Sequence, residues 1–273
     1  MLARTPRSKI FCYTEKMAFS PEERERYARH ILLKEIGGPG QQRLKAATVT
    51  IVGAGGLGAP AALYLAAAGV GRLRIIDDDT VSLSNLQRQV IYRGMDVGAP
   101  KAERVRAVLG ELNAHVDVEP IAQRLSSADA AYLLQGADLV LDGTDTFETR
   151  FAVNAACHEL GITLISGAVG RWQGQVAAFK SGPTKSLPAE QRLPCYRCLV
   201  REVPPDAETC AQVGIVGALT GVIGSMMALE AIKEIAQAGD SLAGRILFYD
   251  ALAAETRVVK LSRDPGCPVC GDV

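Results

Sequence analysis

The sequence predicts an α/β fold: a Rossmann-like, doubly wound and mainly parallel sheet, followed by an antiparallel C-terminal part. Three observations carry this. A β-branched run, a glycine-rich turn, an alanine-rich helix, a second apolar run and an acid follow one another over residues 48–79. Helical and apolar strand patterns then alternate to about residue 165. Beyond Gly167 the pattern becomes two-residue alternation and short strands joined by turns.

The elements follow in order. Ser20-Pro21-Glu22-Glu23 places a capping serine, a proline at the first helical position and two acids in the first turn. Residues 21–46 read as one or two helices, with a break at Gly37-Gly38-Pro39-Gly40. Residues 48–52 form the first strand, Gly53-Ala54-Gly55-Gly56-Leu57-Gly58 the turn, 61–68 a helix, and 73–76 the next strand, closing on Asp77-Asp78-Asp79. Helices over 101–112, 128–134 and 149–160 alternate with strands over 116–120, 137–141 and 162–165. Residues 173–180 read as a strand and 181–194 as a loop rich in Pro and Ser; strands over 246–249 and 256–261 end the pattern. The organisation expected is a flexible tail over residues 1–19 and one domain over 20–273, with Met17 as the natural start.

Composition narrows the function. Thirty basic residues balance thirty acidic ones, so no overall charge favours nucleic acid or an anionic membrane, and any phosphate-binding charge must be local. The first sixteen residues lack the apolar run of a signal peptide, which points to the cytoplasm. Residues 213–229 carry no charge, but they are marginal in length for a membrane span and are interrupted by Gly214, Gly217, Gly221 and Gly224. A buried helix, packed closely or at a subunit interface, is the reading here.

The chemistry-bearing residues gather at the C-terminal ends of the predicted strands. The glycine turn, with Gly53, Gly55, Gly56 and Gly58, offers backbone N–H groups and a helix start to phosphate. Asp77, with Asp79 close by, can accept ribose hydroxyls. These signals are shared with dinucleotide dehydrogenases, so an NAD-dependent oxidoreductase is the rival at this point. The polar run Ser84-Asn85-Leu86-Gln87-Arg88-Gln89 and Lys101 shift the balance, because two cations beside a glycine turn suit a triphosphate. Asp142 and Asp145 close another strand at the same edge; Asp145 is assigned to a metal and Asp142 to structure. Cys195-x-x-Cys198 and Cys267-x-x-Cys270 offer four thiolates, the set of a closed, structural zinc site. Cys157 fits the apolar face of a helix.

These motifs, with Arg26-Tyr27-Ala28-Arg29-His30, Gly98-Ala99-Pro100-Lys101, Asp142-Gly143-Thr144-Asp145 and the two cysteine pairs, occur in one order from about Ser20 to Gly271. The chain thereby resembles the MoeB/ThiF/HesA family, bacterial relatives of ubiquitin-activating enzymes. The resemblance implies an adenylyltransferase that uses ATP and Mg2+ and carries Zn2+. Asp77 is then the ribose acid, Gly56 lies where the turn meets the nucleotide, and Asn85, Arg88 and Lys101 are triphosphate ligands. Asp145 is the magnesium-site aspartate, and Arg29 resembles an arginine that reaches the neighbouring subunit's ATP site, which implies a homodimer. Thr146 follows Asp145 where the family often has Asn, and the loop over residues 181–194 looks longer than in relatives.

The implied reaction is adenylation of the C-terminal glycine carboxylate of a small ubiquitin-like sulfur-carrier protein ending in Gly-Gly. Pyrophosphate leaves, and a separate sulfur donor protein completes a thiocarboxylate. Molybdopterin and thiamine carriers rank first. Cys210 resembles, by position, a cysteine that in some relatives bonds to the partner or its sulfur; an unreactive loop cysteine is the equal alternative. A non-catalytic scaffold for a ubiquitin-like protein is the second rival, against which Arg29, Arg88, Lys101 and Asp145 stand together.

Overall fold

The computed structural model describes residues 19–204 and 214–272. The expected tail (save Phe19), Met17, Cys12 and Cys210 lie outside the described residues.

Ser20 caps helix α1 (Pro21–Arg26). Its hydroxyl accepts the Glu23 N–H at 3.1 Å while the Glu23 carboxylate accepts the Ser20 N–H at 2.7 Å, a reciprocal capping box. Glu23 also meets Lys45 at 2.7 Å, tying α1 to helix α3 (Gly37–Ala46), with the short α2 (Ala28–Ile31) between them. The helix break falls over residues 32–36, ahead of the glycine run where it was expected. Gly37 opens α3 instead, and Pro39 sits in its first turn, where a missing N–H leaves no intrahelical bond unmade.

Strand β1 (Thr48–Val52), helix α4 (Gly58–Ala67), strand β2 (Arg72–Ile76), helix α5 (Lys101–Leu112) and strand β3 (Asp117–Ile121) form the first half of the sheet. Helix α6 (Ala130–Leu134), strand β4 (Leu139–Asp142), helix α7 (Phe147–Leu160) and strand β5 (Thr163–Gly170) carry it on. Strand β6 (Gln173–Phe179) turns back antiparallel, because Arg171 takes φ 45° in the hairpin, so β5 runs past its expected end at residue 165. The loop over residues 181–194 is not featureless: it holds α8 (Ser181–Thr184) and a 3-10 turn, Ala189–Gln191. Helices α9 (Tyr196–Leu199) and α10 (Gly217–Ala236), then strands β7 (Arg245–Asp250) and β8 (Glu255–Lys260), complete the chain.

The strands lie in the order β3-β2-β1-β4-β5-β6-β7-β8, parallel from β3 to β5 and antiparallel from there to β8. The winding direction reverses between β1 and β4, which opens a crevice beyond their C-terminal ends. Helices α4, α5 and α10 cover one face, over Val49, Ile51, Leu73, Ile75 and Leu141; α6 and α7 cover the other, over Val52, Ile76, Val140 and Leu164. The glycine-rich α10 packs against α4: a Cβ at Gly224 would lie 2.5 Å from the Leu57 carbonyl oxygen and from the Pro60 ring. Among the described residues no helix is long and apolar enough to cross a membrane.

Candidate active site

A cleft of about 600 Å3 lies at the C-terminal ends of β1, β2 and β4, at the reversal of strand order. Gly53 leaves β1 with φ +88°, a conformation that favours glycine. A Cβ on Gly58 would sit 1.8 Å from the Gly53 carbonyl oxygen, so the turn closes on itself only because Gly58 has no side chain. Gly53, Gly55 and Gly56 line the cleft, while Gly58 is buried beneath it. Asp77, directly after β2, accepts the Ala54 N–H at 2.7 Å and the Asp79 N–H at 2.9 Å, which fixes its carboxylate across the glycine turn. Burial pushes the Asp77 carboxyl up, against the lowering effect of the Lys101 charge and of these two N–H groups.

Lys101 is the first residue of α5, and its side chain is only 6% exposed. Its Nζ lies 2.8 Å from Asp79 Oδ2, so the carboxylate offsets both the desolvation of the ammonium and its unfavourable position at a helix N-terminus. Asp79 thus acts on the site through Lys101 as well as by its own oxygens. Arg88 is half-buried, lines the cleft and donates to the Ser84 carbonyl at 3.2 Å. Asn85 also lines the cleft; its Oδ1 accepts the Ser82 N–H at 3.2 Å. The Ser84 hydroxyl meets that of Ser82 at 3.0 Å, and Ser84 is exposed outside the cleft lining.

The two aspartates after β4 separate cleanly. Asp142 is buried: Oδ1 accepts the Thr144 N–H at 3.0 Å and the Thr144 hydroxyl at 2.7 Å, and Oδ2 accepts the Ser166 hydroxyl at 3.0 Å. Asp145 is exposed on the cleft wall, a carboxylate able to reach a hydrated cation. Thr146 lines the cleft and also caps α7, its hydroxyl accepting the Thr149 N–H at 3.4 Å. Arg29 is exposed on α2 and does not line the cleft of its own chain.

Sequence reasoning quoted Gln89 in the polar run without giving it a role, and it did not single out several other polar residues of the cleft wall, among them Arg124, Arg150 and Thr220. Arg124 follows β3 at the same sheet edge, where the rule used for Asp77 and Asp145 would have found it; its Nε lies 3.0 Å from Asp78. Arg150 carried no such signal. It is buried, donates to the Thr144 and Gly167 carbonyls, and lies over the Tyr196 ring.

The four predicted metal cysteines come together. The ligand atoms of Cys195, Cys198, Cys267 and Cys270 lie within 4.8 Å of one another, with sulfur separations of 3.5 Å for Cys195–Cys267 and 3.4 Å for Cys198–Cys270. Tetrahedral zinc with bonds of ~2.3 Å sets its sulfurs about 3.8 Å apart, so the cluster fits such an ion. Hydrogen bonds from Cys195 and then Cys270 push the Cys198 thiol down, favouring a thiolate there. The first pair is more ordered than a plain turn, since Cys195 opens α9. Cys157 is buried and burial pushes its thiol up, as expected of an inert core residue.

Fold and site together define a doubly wound α/β protein with a polar, ligand-sized cleft at the switch point and a separate four-thiol cluster. The profile of the ThiF family matches residues 27–269, and the chain belongs to that family. A Thermus thermophilus protein named sulfur carrier protein adenylyltransferase is 47% identical over 258 residues, 94% of each chain. An Escherichia coli molybdopterin-synthase adenylyltransferase is 44% identical over 252 residues, 92% of this chain and 98% of that one. The crystal structure of E. coli MccB with ATP shares the fold, with a TM-score of 0.77 at 23% identity over 99% of this chain and 83% of that one.

Proposed function

We propose that this protein is an ATP-dependent adenylyltransferase acting on the C-terminal glycine carboxylate of a small ubiquitin-like sulfur-carrier protein. The observation that carries this reading is the convergence of Asp77, Arg88, Lys101 and Asp145 on one cleft at the sheet's switch point. The names of the relatives, adenylyltransferases of sulfur carriers and of molybdopterin synthase, support it. They weigh against both the nicotinamide oxidoreductase and the silent scaffold.

In this reading Asp77 accepts the ribose hydroxyls of ATP, and the glycine turn presents its N–H groups to the nucleotide. Asn85, Arg88 and Lys101 hold the phosphates, with Asp79 keeping Lys101 in place. Asp145 would help hold Mg2+, with Thr146 beside it; when bound, the ion neutralises phosphate charge. The carrier's carboxylate oxygen attacks the α-phosphorus, the bond to the β-phosphate oxygen breaks, and pyrophosphate leaves with that electron pair. The attacking group is already an anion at neutral pH, so no general base is needed, and the chain's task is to orient the reactants and stabilise charge. The acyl-adenylate formed is then open to a separate sulfur donor protein.

Zinc at the four cysteines is structural in this reading, since four thiolates leave no open coordination position. Arg29, exposed and outside its own cleft, fits a role in the cleft of a second copy, so the working unit is a homodimer. Free thiols held as a ligand set suit the reducing cytoplasm. The test is pyrophosphate–ATP exchange with purified carriers ending in Gly-Gly. Exchange should require one carrier and vanish in Asp145→Ala with folding intact, because that side chain is exposed. Folded protein that supports no exchange with any carrier would sink the reading.

A further inference from the structure

Gln89 stands out among the cleft residues. It is 4% exposed, yet it lines the cleft, and its Oε1 is buried with no hydrogen-bond partner. Its backbone is not free to move away. The Gln89 N–H donates to the Asn85 carbonyl at 2.9 Å, and its carbonyl accepts the Tyr92 N–H at 3.1 Å. Two further bonds hold the same segment to the rest of the site: the Tyr92 hydroxyl donates to the Ala54 carbonyl at 2.7 Å, and the Thr220 hydroxyl reaches the Arg88 carbonyl at 3.3 Å. Gln89 Nε2 is thereby held against the glycine turn, 3.4 Å from where a Cβ on Gly55 would stand.

A buried carboxamide oxygen without a donor is destabilising in the free protein; with the carboxamide turned over, an N–H takes that place, and that donor can be paired by a ligand acceptor. The cleft around it is lined by Arg88, Lys101 and the glycine turn, so the ligand group expected there is an anion. A carboxamide offers two N–H donors, and half a turn about its last bond exchanges donor and acceptor, so it can meet an anionic oxygen from this position. Resting on the adenylation reading above, we propose that Gln89 is a positioning residue for the nucleotide's phosphates: its carboxamide donates to a phosphate oxygen beside Gly55 and fixes the phosphate chain between the glycine turn and Arg88.

The test is equilibrium binding of ATP, AMP and adenosine to the full-length wild-type protein and to Gln89→Leu, Gln89→Met and Gln89→Glu, with thermal unfolding of each. The apolar variants should bind ATP and AMP roughly tenfold more weakly, as expected for loss of a hydrogen bond to a charged group, with adenosine affinity kept within about twofold. Gln89→Glu should weaken ATP further, since it sets a like charge against phosphate. Equal losses for all three ligands, or no loss, would overturn the proposal; the first assigns Gln89 to base, ribose or folding. Wild-type protein that binds none of the three would instead overturn the nucleotide reading itself, and the role of Gln89 with it.

Discussion

Lys101 shows how a single side chain is made fit for its place. An ammonium at a helix N-terminus, almost fully buried, is unfavourable unless a carboxylate meets it, and Asp79 does so at 2.8 Å. Lys101→Met keeps the aliphatic packing and leaves behind an Asp79 side chain that is 60% exposed to water. Stability should therefore change by less than about 1 kcal/mol in denaturant titration, while pyrophosphate exchange falls roughly 100-fold or more. Glu23 gives a pH prediction. Burial raises its carboxyl, but the hydrogen bond from Lys45, the Ser20 N–H and the Lys45 charge together bring it below 4.5. Folding thus favours the ionised form. Its stabilisation is complete above the unfolded value of 4.5 and is lost as the pH falls through the lower folded value. The stability gap between wild type and Glu23→Gln should shrink as the protein is acidified below pH 4.5; a constant gap in denaturant titrations across that range would refute this assignment.

At the scale of the element, the glycine turn is the most constrained piece of the chain. Its closure needs Gly58 bare, because a Cβ would meet the Gly53 oxygen at 1.8 Å. Gly58→Ala must displace backbone rather than a flexible side chain, so we expect a loss of about 3 kcal/mol in denaturant titration together with a marked loss of ATP affinity. Preserved affinity would mean that the turn does not contribute to nucleotide binding. The turn, the acid after β2 and the capping serine Ser20 were legible in the sequence because each is a local pattern with a local cause. The start of α3 was misplaced for an instructive reason. Glycine and proline usually mark a break, but here Pro39 sits in the first turn of the helix, the one place where it fits, and Gly37 leads into that turn with φ +58°. The loop over residues 181–194 hid two short helical turns, whose patterns are too brief to show periodicity.

Across the whole molecule, the four cysteines bind the C-terminal segment to α9, 72 residues away in sequence, and α9 in turn packs on α7, where Tyr196 meets Phe151 at 6.0 Å and its N–H reaches Asn154 at 2.7 Å. Removing the metal should therefore loosen more than the last strands. Each chain is expected to carry one zinc by elemental analysis. Chelation or Cys270→Ser should lower the midpoint of thermal unfolding by roughly 10 °C. An unchanged midpoint in metal-free protein would show that the cluster does not hold the fold together.

The sequence alone determined the α/β class, the glycine turn, the acids at the strand ends and the pairing of two Cys-x-x-Cys motifs, since period, turn chemistry and ligand type are written into neighbouring residues. The sequence assigned Asp145 to a metal and Asp142 to structure, but only the tertiary structure shows what sets the two acids apart. Asp142 and Asp145 are near neighbours in sequence, and what separates them is whether Thr144 and Ser166 occupy the carboxylate. Only the fold, too, brought Gln89, Arg124, Arg150 and Thr220 to one wall, from segments far apart in the chain. Such residues carry no shared local pattern, because what unites them is the crevice that the reversal of strand order creates.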